Sequence, residues 1–332
     1  MHGPGNVRLE TVPDPTRQPG EALLRVRRIG LCGTDLNSYR GMNPLVTFPR
    51  VPGHEIAATI AEVDERHPCL TVGMDVTLSP YTSCRTCRAC RNGRPNACAR
   101  NLTMGVQRDG ALAEYISVPA DKLYEAKLSL DELCLVEPLT VGCHAVARAQ
   151  VTSKDVVAVF GCGGVGLGAV AASAFRGATT VAIDIDDAKL SVAREAGATH
   201  VVNTAVEDPA AALAALTDGD GPDVVVEAAG APQTFRAAIE LAAFTGRVVH
   251  IGYAKQPVSY ETRLIVQKEL NILGSRNALP EDFRQVICML GQHKFPVQKA
   301  ISATGPLEQT PELLHDWSAN PGRFTKIMIT LE

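Results

Sequence analysis

Aromatic residues are scarce in this sequence: Phe, Tyr and Trp make up 5% of its 332 positions, with a single Trp. Its cores must therefore be built from aliphatic side chains, and the length suffices for two of them in separate domains. A long basic run is also missing. With a formal net charge of -4 the chain has no electrostatic footprint for nucleic acid. Met1 to Gly20 contains Pro and Gly but no apolar stretch, so it does not read as a secretory signal, and a cytoplasmic location is expected. Val156 to Phe175 carries no charge and is about as long as a membrane-spanning helix. Five glycines, at 161, 163, 164, 166 and 168, interrupt it, and a buried strand, a tight turn and a helix explain it better. No engagement with a membrane is expected.

Internal repeats and low-complexity linkers are absent too. Up to about residue 138, Gly and Pro break the chain into short runs rich in Val, Leu and Ile. Ala22–Ile29, Ile56–Val63 and Asp75–Leu78 are examples, and the texture is that of an all-β core with functional loops. From 139 to 274 the texture changes. Strand-length apolar runs occur at Val156–Phe160, Val181–Ile183, Val201–Val202, Val224–Val226, Val248–Ile251 and Ile272–Leu273. They alternate with Ala-rich helical stretches such as Asp187–Ala196 and Thr234–Ala243. This alternation predicts an α/β domain with a doubly wound parallel sheet. After Gly274 the chain is expected to return to the first domain, which is then discontinuous: 1–138 and 275–332.

Gly161-Cys162-Gly163-Gly164-Val165-Gly166 follows the first of these strands and opens a helix. Gly161 permits a tight turn, Gly163 lets backbone approach a pyrophosphate, and Gly166 lets helix and strand pack closely. The helix N-terminus then stabilises phosphate charge. Asp184 ends the second strand, at the spacing of a ribose-binding acid. A carboxylate there accepts hydrogen bonds from a 2′-hydroxyl and repels a 2′-phosphate. Ile185, Asp186 and Asp187 supply no cation to offset that repulsion, so NAD is expected rather than NADP. The blander alternative is that Asp184 merely ends a strand or caps a helix.

Ten cysteines resemble a disulfide framework, but four of them crowd between 84 and 98. In a chain without an export signal that clustering favours metal-bound thiolates. Cys84, Cys87, Cys90 and Cys98, spaced C-x2-C-x2-C-x7-C, can occupy the corners of a tetrahedron around zinc in a lobe at about 80–100. Such a site has no open position and is structural. Disulfides or an iron–sulfur cluster suit the spacing as well, and a lobe of this kind also occurs in interaction modules. A second set is dispersed: Cys32 within Gly30-Leu31-Cys32-Gly33-Thr34-Asp35, His54-Glu55 after Pro52-Gly53, and Glu137-Pro138-Leu139. A thiolate, an imidazole and a carboxylate can hold zinc while leaving a position for water or substrate. Spacing alone does not join them, and a lone His54 would more often be a hydrogen-bonded structural residue.

Taken in order along the chain, these motifs resemble the zinc-containing medium-chain dehydrogenases, in the polyol branch related to sorbitol and threonine dehydrogenases. The resemblance implies a β-rich GroES-like catalytic domain with a Rossmann domain inserted before its end, about two zinc ions per chain, NAD as cofactor and a homo-oligomer, dimer or tetramer. Cys32 and His54 are similar to the family's catalytic zinc ligands, and Glu55 and Glu137 to carboxylates that complete or exchange within the shell. Asp35 resembles the carboxylate that orients the zinc-bound histidine, and Thr34 the hydroxyl that takes the substrate proton. Asn37 stands where many relatives have a proton-relaying histidine, and the additional strand that relatives carry ahead of Gly3 has no counterpart. Gly274 to Phe283 is most similar to dehydrogenases of L-galactonate or L-gulonate, making Arg276 and Asn277 candidate substrate residues. Oxidation of a secondary alcohol of a polyol or sugar acid is therefore expected. The alternatives are a threonine, simple alcohol or aminocyclitol dehydrogenase, or a non-catalytic zinc-binding regulatory protein.

Overall fold

The computed structural model describes residues 1–332 and divides into two compact units, Met1–Glu137 with Val297–Glu332, and Pro138–Pro296. In chain order the first unit contains β1 (Glu21–Leu31), α1 (Gly33–Tyr39), β2 (Glu55–Glu62), β3 (Asp75–Leu78), α2 (Arg88–Arg91), β4 (Tyr115–Pro119) and β5 (Leu123–Glu125). Helix α3 (Leu130–Arg148) carries the chain into the second unit. There follow β6 (Val156–Phe160), α4 (Gly164–Phe175), β7 (Thr179–Asp184), α5 (Asp187–Glu195), β8 (His200–Asn203), α6 (Pro209–Leu216), β9 (Val224–Glu227) and α7 (Pro232–Leu241). β10 (Arg247–His250), α8 (Thr262–Gln267), β11 (Asn271–Gly274) and α9 (Pro280–Gly291) complete it. The first unit then closes with α10 (Val297–Ala300), β12 (Ala303–Pro306), α11 (Thr310–Ala319) and β13 (Ile327–Thr330).

The sheet of the first unit runs β12-β13-β1-β2-β3-β5, with β4 also beside β1. Its pairings are antiparallel except β12 with β13. β1 is its hub because one edge serves two partners in succession. Glu21–Arg25 pair with β4, and Arg28–Leu31 pair with β13. Along β1 the buried Ala22, Leu24 and Val26 alternate with residues facing outward, the period-two pattern of a half-buried strand. Leu24, Ile29, Leu31, Ile56, Ile60 and Leu78 are fully buried, an aliphatic core as the composition requires.

In the second unit six parallel strands lie in the order β8-β7-β6-β9-β10-β11. That is the Rossmann order 3-2-1-4-5-6, which reverses direction between β6 and β9. Both faces are covered, so β6 and β9 are buried along almost their whole length and read as unbroken valine-rich runs. The charge-free segment 156–175 is β6, its turn and α4, and no helix is long and apolar enough to cross a membrane.

One boundary differs from the sequence reading. The expected return to the first domain at 275 falls at Val297, because α9 stays with the nucleotide unit. Phe283 on α9 is fully buried, His144 on α3 meets Asp282 at 2.8 Å, and Gln285 accepts hydrogen bonds from Arg176 at 3.1 Å and Cys143 at 3.4 Å. The loss of strand–helix alternation after Gly274 marked the end of the sheet, whereas packing of α9 sets the edge of the unit.

Candidate active site

Sheet register brings the dispersed residues together. Gly30 of β1 pairs with Glu55 of β2, so Cys32, just past the end of β1, lies next to His54, just ahead of β2. The ligand atoms of Cys32, His54 and Glu55 all lie within 4.8 Å of one another. Gly30 is needed for this approach, since a Cβ there would stand 2.0 Å from Glu55 Oε2. Cys32 also forms the N-cap position of α1, which brings Thr34 Oγ1 to 3.7 Å from its Sγ.

Asp35 differs from expectation. Its carboxylate accepts from the backbone N–H of Cys32 at 2.9 Å and of Gly53 at 3.3 Å, and His54 Nδ1 is buried with no hydrogen-bond partner. Asp35 therefore ties together the two backbone segments that present Cys32 and His54, rather than bonding the imidazole. The reason is local, because as the third residue of α1 it reaches back to the helix N-terminus.

Glu137 lies outside the three-residue group. It accepts a short hydrogen bond from the hydroxyl of buried Tyr81, and burial pushes its carboxyl up to about 7 although His54 opposes the rise. Burial opposes charge on the His54 ring, but Asp35, Cys32 and Glu137 more than offset it and hold the imidazole well above its ordinary pKa. The cluster is thus a close set of S, N and O donors that favours positive charge at its centre. With a buried imidazole nitrogen left unsatisfied, it fits zinc.

Two residues here escaped the sequence reading. Tyr81, at the start of the cysteine lobe, belongs to no motif. Lys326, ahead of β13, is buried, and its Nζ donates to Glu55 Oε1 at 2.6 Å, Glu55 Oε2 at 2.5 Å and the Leu31 carbonyl at 3.3 Å. The only signal for Lys326 was a single charge at the entrance to an apolar strand.

Cys84, Cys87, Cys90 and Cys98 also converge within 4.8 Å, all as free thiols. Cys87 Sγ lies 3.5 Å from Cys90 Sγ and 3.8 Å from Cys98 Sγ. Hydrogen bonds from Thr86, first its hydroxyl, and from the Cys87 backbone bring Cys84 down to about 5. Desolvation, together with Cys87 and Cys98, pushes Cys90 up to about 12. Four thiols this close resist ionising together unless a cation joins them, and four sulfurs leave no open position.

In the second unit the glycines of the loop have different surroundings. Gly161 has φ +92° and packs on Ala229, and a Cβ on Gly166 would lie 1.8 Å from the Gly161 carbonyl oxygen. At Gly163 nothing lies within 4 Å, so the backbone is open at the head of α4, where Gly164 and Val165 begin the helix. That is the cradle a pyrophosphate needs. Asp184 ends β7 and accepts from the N–H of Cys162 at 2.7 Å, Ile185 at 2.8 Å and Asp186 at 3.2 Å. Asp186, not Asp184, caps α5, so of the two blander roles for Asp184 the strand-ending one remains. Arg276, exposed, and Asn277, with φ +53°, follow β11 in this unit, at the carboxyl edge of its sheet. They are not part of the Cys32–His54–Glu55 group.

Comparison with known proteins agrees with this layout. Residues 18–128 match the alcohol dehydrogenase GroES-like domain, and 164–292 match the zinc-binding dehydrogenase family. The chain is 35% identical over 330 residues to an uncharacterised zinc-type alcohol dehydrogenase-like protein of Haemophilus influenzae, covering 98% of this chain and 96% of that one. It is 32% identical to the L-galactonate-5-dehydrogenase of Escherichia coli, covering 95% and 93%. An E. coli alcohol dehydrogenase in complex with NADH superposes with a TM-score of 0.90 at 28% identity, covering 99% and 97%. A zinc-binding dehydrogenase of Sinorhizobium meliloti bound to NADP gives 0.91 at 29%, with the same coverage. The chain belongs to the zinc-containing medium-chain dehydrogenases, oxidoreductases acting on a CH–OH group. Within them it falls in the branch of polyol dehydrogenases.

Proposed function

We propose that this enzyme oxidises a secondary hydroxyl of a sugar acid, of the L-galactonate or L-gulonate class, with NAD as acceptor. The observation that carries the catalytic reading is the convergence of Cys32, His54 and Glu55 at the paired ends of β1 and β2. Cys32, His54 and Glu55 or Glu137 would hold a catalytic zinc, and Cys84, Cys87, Cys90 and Cys98 a structural one. When bound, the catalytic zinc supplies Lewis-acid polarisation of a hydroxyl, and the nicotinamide ring supplies the hydride acceptor.

The chain's own residues do the rest. Thr34 Oγ1, 3.7 Å from Cys32 Sγ, accepts the proton that the substrate hydroxyl loses as it gives up its own. Asn37 has an amide that does not titrate near neutral pH, so the proton leaves through water or another group. Asp35 holds the Cys32 and Gly53 backbone in register throughout. Gly163 and the first turn of α4 hold the pyrophosphate, and Asp184 receives the ribose hydroxyls and selects NAD. Arg276, at the carboxyl edge of the nucleotide sheet, suits a substrate carboxylate.

The relative named for L-galactonate supports the sugar-acid class, while other relatives are named sorbitol and threonine dehydrogenases. Nicotinamide reduction measured over hexonates, pentonates, neutral polyols and threonine, with NAD and NADP in parallel, tests the proposal. Highest kcat/KM with a hexonate and NAD is expected. Highest kcat/KM with threonine or a neutral polyol would reject the sugar-acid class, and preference for NADP would reject the role given to Asp184.

A further inference from the structure

The turn that leaves β9 packs on the glycine loop. A Cβ on Gly161 would stand 2.8 Å from the Ala229 backbone nitrogen, and one on Gly166 would lie 3.6 Å from the Cβ of Ala228. One side chain holds this turn: Glu227, the last residue of β9, which is fully buried. Its Oε1 accepts from the N–H of Ala229 at 3.0 Å, the N–H of Gly230 at 2.7 Å and the Thr234 hydroxyl at 2.7 Å. Its Oε2 is buried with no partner, against Gly252, where a Cβ would come within 2.5 Å of it. All three donors are neutral, and all serve one oxygen. That is the arrangement of a carboxylic acid with its proton on the other oxygen, since a carboxylate would leave charge on Oε2 buried without a donor. Burial raises the Glu227 carboxyl, and the bonds from Thr234, Gly230 and Ala229 only partly offset the rise.

Few other titratable groups belong to the elements around it. β6, α4 and the turn itself have none. His250, its register neighbour at the end of β10, is half-buried, stacks on Phe235 of α7 at 4.7 Å, and is held below its ordinary pKa by burial. β10 also carries Arg247, at its opposite end. α7 adds Arg236 and Glu240, the glycine loop Cys162, and the chain beyond Gly252 Tyr253 and Lys255.

We propose that Glu227 is a positioning residue for the cofactor, which as a neutral acid holds the 228–230 turn against the glycine loop. Loss of its proton puts an uncompensated negative charge next to that turn and weakens the binding of an anionic pyrophosphate. This rests on the reading of 161–166 as a dinucleotide cradle.

The test is the dissociation constant of NADH, followed by fluorescence on the full chain from about pH 6 to about pH 9. The infrared carboxyl bands of the protein without cofactor give a second readout. The unmodified enzyme is expected to bind NADH roughly tenfold more weakly at the alkaline end. Glu227→Gln keeps the shape and the acceptor oxygen but cannot ionise. It should lose most of that dependence and bind at the alkaline end about as tightly as the unmodified enzyme does at the acid end. The infrared difference between the two proteins should contain a protonated carboxyl band. His250→Leu should keep the dependence. Parallel profiles for Glu227→Gln and the unmodified enzyme would overturn the proposal. So would a flat profile in His250→Leu, which would assign the titration to the imidazole, or weak binding by Glu227→Gln throughout, the mark of a carboxylate needed in its charged form. A failure of the cradle reading looks different: the unmodified enzyme would then bind NADH at no pH.

Discussion

His144 Nδ1 and Asp282 Oδ2 lie 2.8 Å apart, both side chains about 5% exposed or less, and they fasten α9 to α3 within the nucleotide unit. The same Asp282 oxygen accepts from the Leu279 N–H at 2.7 Å and so also caps α9. One carboxylate therefore starts the helix and docks it. Asp282→Ala leaves a buried imidazole and a helix N–H without their acceptor, at a cost of about 2–4 kcal/mol. The apparent unfolding midpoint should fall by roughly 5–10 °C in calorimetry. An unchanged midpoint would mean that apolar packing around Phe283 alone seats the helix.

Cofactor choice is expected to turn on the end of β7. Asp184→Ser together with Ile185→Arg removes the carboxylate that repels a 2′-phosphate and adds a cation to receive one. The ratio of kcat/KM for NAD over NADP should drop by about tenfold or more. Steady-state kinetics with both cofactors decides it, and a ratio that does not move would place the discrimination elsewhere.

The two cysteine sites should fail in different ways. Cys98→Ser opens a closed four-sulfur site in the lobe, so one zinc should be lost together with thermal stability. Cys32→Ser should abolish turnover while the fold, followed by far-ultraviolet circular dichroism, persists. Metal analysis of the active enzyme should return about two zinc ions per chain. One ion in fully active protein would remove one of the two assignments.

Arg276 is expected to separate charged from neutral substrates. If its guanidinium grips a carboxylate through two parallel hydrogen bonds, Arg276→Gln costs roughly 2–5 kcal/mol. That is about thirtyfold or more in kcat/KM for a sugar acid. A neutral polyol of similar size should lose far less. Equal losses on both substrates, or lower stability with unaltered kinetics, would end the carboxylate role.

The chemistry of this chain was more legible than its packing. The central strands of the nucleotide sheet showed themselves because burial on both faces demands unbroken runs such as Val224–Val226. The glycine loop and Asp184 stood out by their spacing, and they lie at the head of α4 and the end of β7. Cys32, His54 and Glu55 could be read only through the resemblance, since the register that joins them, Gly30 against Glu55, belongs to strand pairing. Lys326 lies 271 residues from its partner Glu55, and no local pattern ties the two. Asp35 was placed by analogy with a histidine-orienting acid. Its position in the first turn of α1 instead gave it backbone partners.

The division of β1's edge between β4 and β13 also sets a timetable for biosynthesis. The half that takes β4, Glu21–Arg25, finds its partner within about a hundred residues of synthesis, but Arg28–Leu31 must wait for Ile327–Thr330. At roughly 5–20 residues per second, the interval between translation of Glu55 and of Lys326 is on the order of 15–50 s. Throughout it the nucleotide unit can fold, while a short apolar stretch of the catalytic sheet stays open to wrong partners. β13 covers that edge when it emerges and, in the same step, brings Lys326 to Glu55.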